Sequence, residues 1–415
     1  MSTRTYNDSF HQVVNLGLQR IDAILETLGR PERGLRHLHI AGTNGKGSVA
    51  AYLTAGLLAA GHRVGTFTSP SLVRTGERIR IDGEPLTDSM LDAYIARADA
   101  AAQGVQKSLG EMATPFEIWT AAAFLAFAEA GVDFVVLEVG LGGEFDATNV
   151  IDTCEAAVIT RLDLDHTGYL GSTLADIARA KAGILKSGRP VFTLTQKKEA
   201  MEVIAAHAAA RGCPMTVITP PAPAAHTGIY EIFDFNGMTA LQVSLGGVFQ
   251  IENACLAIAV LKALGLSEEQ IRQGLLSARH PARLELLDAE PPLLFDGAHN
   301  PNGIAALCTA LDRYYPNTER HFVFACMRDK DYLPSLAMLN RGKCKFYFTT
   351  VSGNERAESP AALVAAAERI GIKGCAVDRL SDAVSAAHTR GAVTVICGSL
   401  YLYHDLYDEN YKRLF

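Results

Sequence analysis

His39-Ile40-Ala41-Gly42-Thr43-Asn44-Gly45-Lys46-Gly47-Ser48 decides how this chain is read. The apolar run His37–Ala41 reads as a strand and Ser48–Ala60 as a helix, so the glycines lie in the turn between them. Glycines there let backbone N–H groups face phosphate oxygens, and the helix N-terminus adds favourable partial charge. Lys46 supplies a full positive charge. Gly42, Thr43, Asn44, Gly45, Lys46, Gly47 and Ser48 are therefore the expected cradle for a nucleotide's phosphates. The spacing departs from the plain Gly-x-x-x-x-Gly-Lys-Ser/Thr form, because Gly47 separates the lysine from Ser48.

Outward from this loop, short apolar runs alternate with longer amphipathic stretches. Strands are expected at Arg63–Thr68, Phe134–Val139, Ala156–Thr160 and Pro190–Leu194, with helices at Phe116–Ala130 and Thr173–Lys186. This is the pattern of an α/β, doubly wound, mostly parallel sheet. Asn236-Gly237, inside Ile229–Leu245, suits a hairpin turn and predicts an antiparallel patch on the edge of this first domain. Helices at Glu252–Leu264 and Glu268–Ala278 close it, the second announced by a capping box of Ser267 and Gln270. After His280–Pro281 and Pro291–Pro292, strands near Leu293–Phe295, Phe322–Cys326, Phe346–Thr349, Cys375–Val377 and Val393–Cys397 describe a smaller, Rossmann-like α/β domain. The expected division is 1–281 and 282–415.

With 415 residues, 48% of them hydrophobic, the chain can bury more than one core. Its charged residues, 20% of the total with a net charge of −7, are interspersed, and no basic stripe invites nucleic acid. The greasiest stretch, Ala121–Ala130, is broken by Glu129 and is too short to span a bilayer. Met1–Gln12 lacks the layout of a signal peptide. The eight cysteines form no Cys-x-x-Cys pair, which fits reduced, mostly buried thiols and a cytoplasmic chain. With no obvious apolar partner helix, a monomer is expected.

Two further segments should lie on the edge of the sheet where α/β ligands gather. Glu138 ends the strand Phe134–Val139 region as an acid after four apolar positions, placed to hold Mg²⁺ directly or through water. Asp163-Leu164-Asp165-His166-Thr167 follows Ala156–Thr160. Taken alone, the acid would read as a solvated loop residue and the histidine as a surface or capping residue; their position beside the phosphate loop raises both.

Together these segments resemble the Mur ligase superfamily, and within it the folate branch of dihydrofolate and folylpolyglutamate synthases. The branch's Gly-Thr-Asn-Gly-Lys-Gly-Ser loop is matched by Gly42–Ser48, including the glycine that separates it from the peptidoglycan ligases. The resemblance runs the length of the chain through Thr68-Ser69-Pro70, Glu77-Arg78-Ile79, Glu138-Val139-Gly140-Leu141-Gly142-Gly143, Asp146-Ala147-Thr148-Asn149 and Leu164-Asp165-His166-Thr167. It continues at Lys181-Ala182-Gly183-Ile184, Gln250 with Asn253-Ala254, Arg283 with Glu285, and Asp296-Gly297-Ala298-His299-Asn300-Pro301.

The resemblance implies a Mur ligase central-type ATP-binding domain followed by a C-terminal-type domain, with the active site in the cleft between them. It puts Lys46 on the ATP phosphates and Ser69, Glu138 and His166 on Mg²⁺. It makes Lys181 a candidate for carbamylation, where the resulting anion would help hold a second Mg²⁺. Lys46, His166 and Lys181 are then the expected catalytic residues. Asn253, Arg283, Asp296 and His299 are expected near the nucleotide, and Phe116 and Asp165 near the acceptor. The implied reaction adds L-glutamate to dihydropteroate, to a reduced folyl-polyglutamate, or to both, by way of an acyl phosphate. That is ligase chemistry of folate biosynthesis and one-carbon metabolism, and the small-molecule partners are ATP, L-glutamate and the folate acceptor. A monovalent cation is left open. Ser71, Glu144 and Ala180 depart from residues common in the family, His, Arg and Glu respectively. The alternatives are a Mur-type ligase for a different carboxylate and a nucleotide-binding homologue without catalysis.

Overall fold

The protein's structure, a computed structural model, describes Asn15 and residues 17–408; the stretch Met1–Gln12 lies outside the described residues. The chain divides into two compact units. The first takes residues up to Ala222, Phe233–Ser244 and Gln250–Arg279; the second takes Pro223–Ile232, Leu245–Phe249 and the chain from His280. The break near Pro281 expected from the proline-rich stretch therefore misses two short segments that precede it in sequence.

The first unit is built on eight strands: β1 (Arg36–Ala41), β2 (Val64–Phe67), β3 (Ile79–Ile81), β4 (Glu84–Pro85), β5 (Phe134–Glu138), β6 (Ala156–Ile159), β7 (Val191–Leu194) and β8 (Met215–Ile218). They lie in the order β4-β3-β2-β5-β1-β6-β7-β8. From β2 through β8 in that order the pairings are parallel, and only β2–β3 and β3–β4 are antiparallel. Every residue of β2, β5, β6 and β7 is buried, which is why these strands are unbroken apolar runs rather than alternating ones.

Strand order places the ligand edge. From β1 the chain winds toward β2 on one side of the sheet, and from β6 toward β7 on the other, so the winding reverses between β1 and β6. The register sets Ile40 beside Glu138, Ala41 beside Ile159, and Phe67 beside Leu137. The loops leaving β1, β2, β5 and β6 consequently emerge together.

The expected helix at Phe116–Ala130 is observed as Pro115–Ala130, entered through a Thr114/Glu117 capping box with proline in its first turn. The expected helix at Thr173–Lys186 stops at Ala182. The long helix Asp88–Leu109 and the helix Gln19–Thr27 pack around the helix Pro115–Ala130.

The antiparallel patch expected within Ile229–Leu245 is observed as a three-stranded sheet of its own, made of β9 (Ala225–Thr227), β10 (Tyr230–Phe235) and β11 (Met238–Gln242); of that segment Phe233–Ser244 falls in the first unit, and its start belongs to the second. Glu231 explains why the start of β10 belongs to the second unit. Its carboxylate is fully buried and receives two hydrogen bonds from the Arg313 guanidinium and one from the Tyr314 hydroxyl, at 2.5, 2.8 and 2.5 Å. A buried charge is tolerated when it is paired and hydrogen-bonded in this way.

The second unit carries β12 (Glu285–Ala289), β13 (Pro292–Phe295), β14 (Glu319–Phe324), β15 (Cys344–Phe348), β16 (Gly374–Ala376) and β17 (Ala392–Cys397), in the order β12-β13-β17-β14-β15-β16. Only β12 is antiparallel. All eight cysteines are free thiols, six of them buried. No helix among the described residues is long and apolar enough to cross a membrane.

Candidate active site

The glycine loop after β1 rests on the loop after β6. Thr43 and Asn44 donate backbone N–H groups to the Arg161 carbonyl at 3.0 and 3.1 Å, and the Thr160 hydroxyl donates to the Asn44 carbonyl at 2.7 Å. A Cβ on Gly42 would sit 1.8 Å from the Thr160 hydroxyl, so only glycine fits there. Gly45 takes a left-handed conformation (φ +91) as the N-cap of the helix Lys46–Ala59. A Cβ on it would meet the Asn253 side chain, which places Asn253 against the loop. Ser48 points elsewhere: it is buried and accepts a hydrogen bond from Gln250 Nε2 at 3.2 Å, and Gln250 in turn accepts from Asn253.

Two lysines meet at one carbonyl. Lys46 Nζ donates to the Gly42 oxygen at 3.1 Å and Lys181 Nζ to the same oxygen at 2.9 Å. Burial and the neighbouring Lys46 charge push Lys181 down to about 7, against the opposing pull of Asp165 and Asp146. Glu138 is the acid facing them, with Oε1 4.0 Å from Lys46 Nζ. Its other oxygen accepts from the Ser69 backbone N–H at 3.3 Å, so Ser69 and Glu138 do come together.

The expected metal set is assembled only in part. His166 has a half-exposed side chain, lies 3.6 Å from the Asp165 carboxylate, and adopts a left-handed backbone (φ +50) unusual for a side-chain-bearing residue. Among the described residues no three His, Cys, Asp or Glu side chains converge as a ready-made cage.

The turn after β5 is held by a residue to which the sequence reading gave no role. Asp146 is buried; its Oδ2 accepts the Gly140 and Leu141 N–H groups at 3.1 and 2.8 Å, and its Oδ1 accepts the Thr148 N–H at 3.0 Å and hydroxyl at 2.5 Å. Burial pushes this carboxyl up, and these hydrogen bonds oppose it. Phe116 lies on the turn, because a Cβ on Gly140 would strike its ring, and its ring centroid is 5.7 Å from that of Phe67. Glu144 is exposed and donates its N–H to the Ala180 carbonyl at 2.8 Å, next to Lys181.

Arg20 was also missed. Buried, it donates to Glu117 at 3.2 Å and to Glu111 at 2.7 Å, fixing the entry to the helix that carries Phe116. Nothing in its local sequence distinguishes it from an ordinary helical arginine.

In the second unit, Asp296 at the end of β13 accepts the Leu284 and Ala298 N–H groups, each at 2.8 Å. Burial pushes it up while Arg283, those amides and His299 oppose the shift. His299 donates from Nδ1 to the Gly297 carbonyl at 2.9 Å. Arg283 is flanked by two residues with left-handed backbones, Ala282 (φ +60) and Leu284 (φ +41). Such strain persists only where the surroundings over-determine it.

Against known proteins, residues 40–261 match the Mur ligase middle domain, and residues 282–400 match the glutamate ligase domain of the Mur ligases. The dihydrofolate synthase/folylpolyglutamate synthase of Bacillus subtilis is 38% identical over 335 residues, 77% of each chain. The folylpolyglutamate synthase of Lacticaseibacillus casei is 36% identical over 96% of each. Among solved structures, E. coli FolC in complex with DHPP and ADP superposes with a TM-score of 0.84 at 30% identity, covering 99% of this chain and 97% of that one. Sequence, domain order and fold agree, and the chain belongs to the dihydrofolate synthase/folylpolyglutamate synthase family of the Mur ligases.

Proposed function

We propose that this chain is an ATP-dependent ligase that adds L-glutamate to dihydropteroate, to a reduced folyl-polyglutamate, or to both. The observation that carries the reading is the meeting of Lys46 and Lys181 at the Gly42 carbonyl with Glu138 beside them, on the sheet edge where phosphates would lie. A carboxylate is a poor electrophile and is repelled by the γ-phosphate it must attack. Cations fixed at that point offset the repulsion and stabilise charge developing in the transition state. The acceptor's carboxylate oxygen attacks the γ-phosphorus and ADP leaves; the glutamate amine then attacks the acyl carbon, and phosphate leaves with loss of an amine proton.

Glu138 and Ser69 are oxygen donors of the kind Mg²⁺ takes when phosphates and water complete its shell. Mg²⁺ so held would neutralise phosphate charge. His166 is the further proposed ligand. A Lys181 lowered to about 7 is partly a neutral amine near neutral pH, the form that carbamylation requires, which supports its proposed role at a second ion. The proposed nucleotide contacts are Gly42–Ser48 and Asn253 in the first unit and Arg283, Asp296 and His299 in the second. Phe116 and Asp165 are proposed for the acceptor. The reading assigns ATP binding to 1–281 and the C-terminal Mur-type role to 282–415, in a cytoplasmic monomer acting on small molecules and not on nucleic acid or membranes.

A ligase for another carboxylate is the second reading, favoured by the departures at Ser71, Glu144 and Ala180. The test is to incubate the protein with ATP, Mg²⁺, L-glutamate and either dihydropteroate or tetrahydrofolate and to identify products by mass. Glutamate addition to at least one acceptor is expected, and Lys46→Ala should abolish it. ATP binding without addition to either acceptor would overturn the folate reading.

A further inference from the structure

β1 carries chemistry within the strand as well as in the loop at its end. His39 is fully buried there, and its Nε2 lies 2.9 Å from the Thr148 hydroxyl oxygen. That hydroxyl lies 2.5 Å from Asp146 Oδ1. A hydroxyl has one proton to give. The carboxylate can only accept, so Thr148 donates to Asp146 and must accept from His39. The direction of the chain is thereby set: His39 Nε2–H to Thr148, Thr148 O–H to Asp146. Burial, with Lys186 and His37 nearby, holds His39 neutral, which leaves the Nε2–H tautomer as the one that completes the chain.

We propose that His39 and Thr148 are positioning residues for the ligase reaction, acting through Asp146 on the turn that follows Glu138. The consequence of the relay lies at the other carboxylate oxygen, which grips the Gly140 and Leu141 amides. Those two residues begin the turn immediately after Val139, so their placement fixes where the backbone goes as it leaves Glu138. The same turn bears on two other site residues. The Phe116 ring lies against Gly140, and a Cβ on Gly143 would sit 2.8 Å from the Ala180 carbonyl oxygen and 3.1 Å from the Lys181 Cα. One buried carboxylate thus sets the mutual spacing of Glu138, Lys181 and Phe116, and its orientation depends on the Thr148 hydroxyl, whose direction is set by the N–H that His39 donates from the strand beneath the phosphate loop. Removing the hydroxyl frees Oδ1 from its shortest bond and lets the carboxylate rotate away from the two amides. Geometry in the reacting region is sensitive to such outer partners.

The kinetic arm of the test rests on the ligase reading; the exchange arm does not. Thr148→Val preserves shape without the hydroxyl, and Thr148→Ser retains the hydroxyl. Thr148→Val should lower kcat by about tenfold or more with KM for ATP within about twofold, and Thr148→Ser should stay within about threefold of the parent. In hydrogen exchange read by mass, residues 139–146 should exchange about tenfold faster in Thr148→Val while residues 40–48 keep their protection. His39→Phe, which removes the donor but spares the hydroxyl, should show the same pattern at smaller size and serves if Thr148→Val does not fold. Unchanged exchange at 139–146, equal impairment by Ser and Val, or uniform acceleration across β1 and the turn would overturn the proposal. A parent protein that adds no glutamate, together with the expected exchange pattern, would instead count against the ligase reading and leave the relay standing.

Discussion

Asp146 in the first unit and Asp296 in the second are both buried carboxylates, 4% and 7% exposed, and each anchors a turn by accepting backbone N–H groups. Burial pushes both upward. They differ in what opposes it. For Asp146 the principal offsets are hydrogen bonds, three from amides and one from the Thr148 hydroxyl. Asp296 has only two amides, and Arg283 outranks them, with His299 contributing as well. The upward push of burial on an acid can be opposed by many aligned dipoles or by fewer dipoles plus a neighbouring charge. The first arrangement makes a rigid anchor. The second leaves the acid responsive to whatever happens to its cations.

The largest break in this comparison should come from Asp146→Ala. It strands four donors in a dry turn and should cost about 4 kcal/mol by urea unfolding, with glutamate addition lost. His37 sharpens the contrast as a buried group on β1 for which burial, joined by Lys186, wins outright: it is pushed down from 6.5 to about 4. As pH falls below 6.5, the unfolded chain takes up a proton that the folded chain refuses until about pH 4. Stability present above pH 6.5 is therefore lost across that window, by at most about 3 kcal/mol. His37→Phe should flatten this loss, as read from urea midpoints at pH 7, 5.5 and 4.5. Asp296→Ala strands two amides and should cost about 2 kcal/mol. Smallest is Ala282→Gly, which relieves the left-handed strain beside Arg283 at the loss of one buried methyl and should change stability by about 1 kcal/mol at most. A stabilised variant with intact activity would show that the strain there is incidental.

The sheet around the phosphate loop was legible because parallel strands buried on both faces are continuous apolar runs bounded by glycine and proline. The expected strand Phe134–Val139 is observed as Phe134–Glu138, and Ala156–Thr160 as Ala156–Ile159. The helix Asp88–Leu109 was not read, although Leu91, Ile95, Ala98, Ala102 and Val105 line its buried face at helical spacing. Alanine fills much of that stripe and gives a weak periodic signal. The helix Thr173–Lys186 was read too long, because its end is set by a tertiary contact: the Ala180 carbonyl receives the Glu144 N–H, and the Ile184 N–H turns to Lys181 instead.

In the site, Lys46 and Glu138 could be placed from strand ends alone, since register brings Ile40 beside Glu138. The family resemblance supplied Lys181 but could not show that its amine meets Lys46 at one carbonyl. Asp146 stood inside a quoted motif with no role attached, because a turn-anchoring acid looks the same in sequence as a solvated one. His39 had no signal at all: a histidine in an apolar strand becomes informative only when Thr148, 109 positions away, is found against it.

Gly42 and Thr160 lie on different strands' loops, yet a side chain at one would occupy the space of the hydroxyl at the other, and that hydroxyl holds the Asn44 carbonyl. Substitutions at the two positions are therefore not independent trials. Randomising 42 alone meets the hydroxyl at 160, whereas pairing it with a small residue at 160 clears that space but leaves φ +156 at position 42, which side chains rarely adopt, so the pair asks whether space or backbone is the stricter limit.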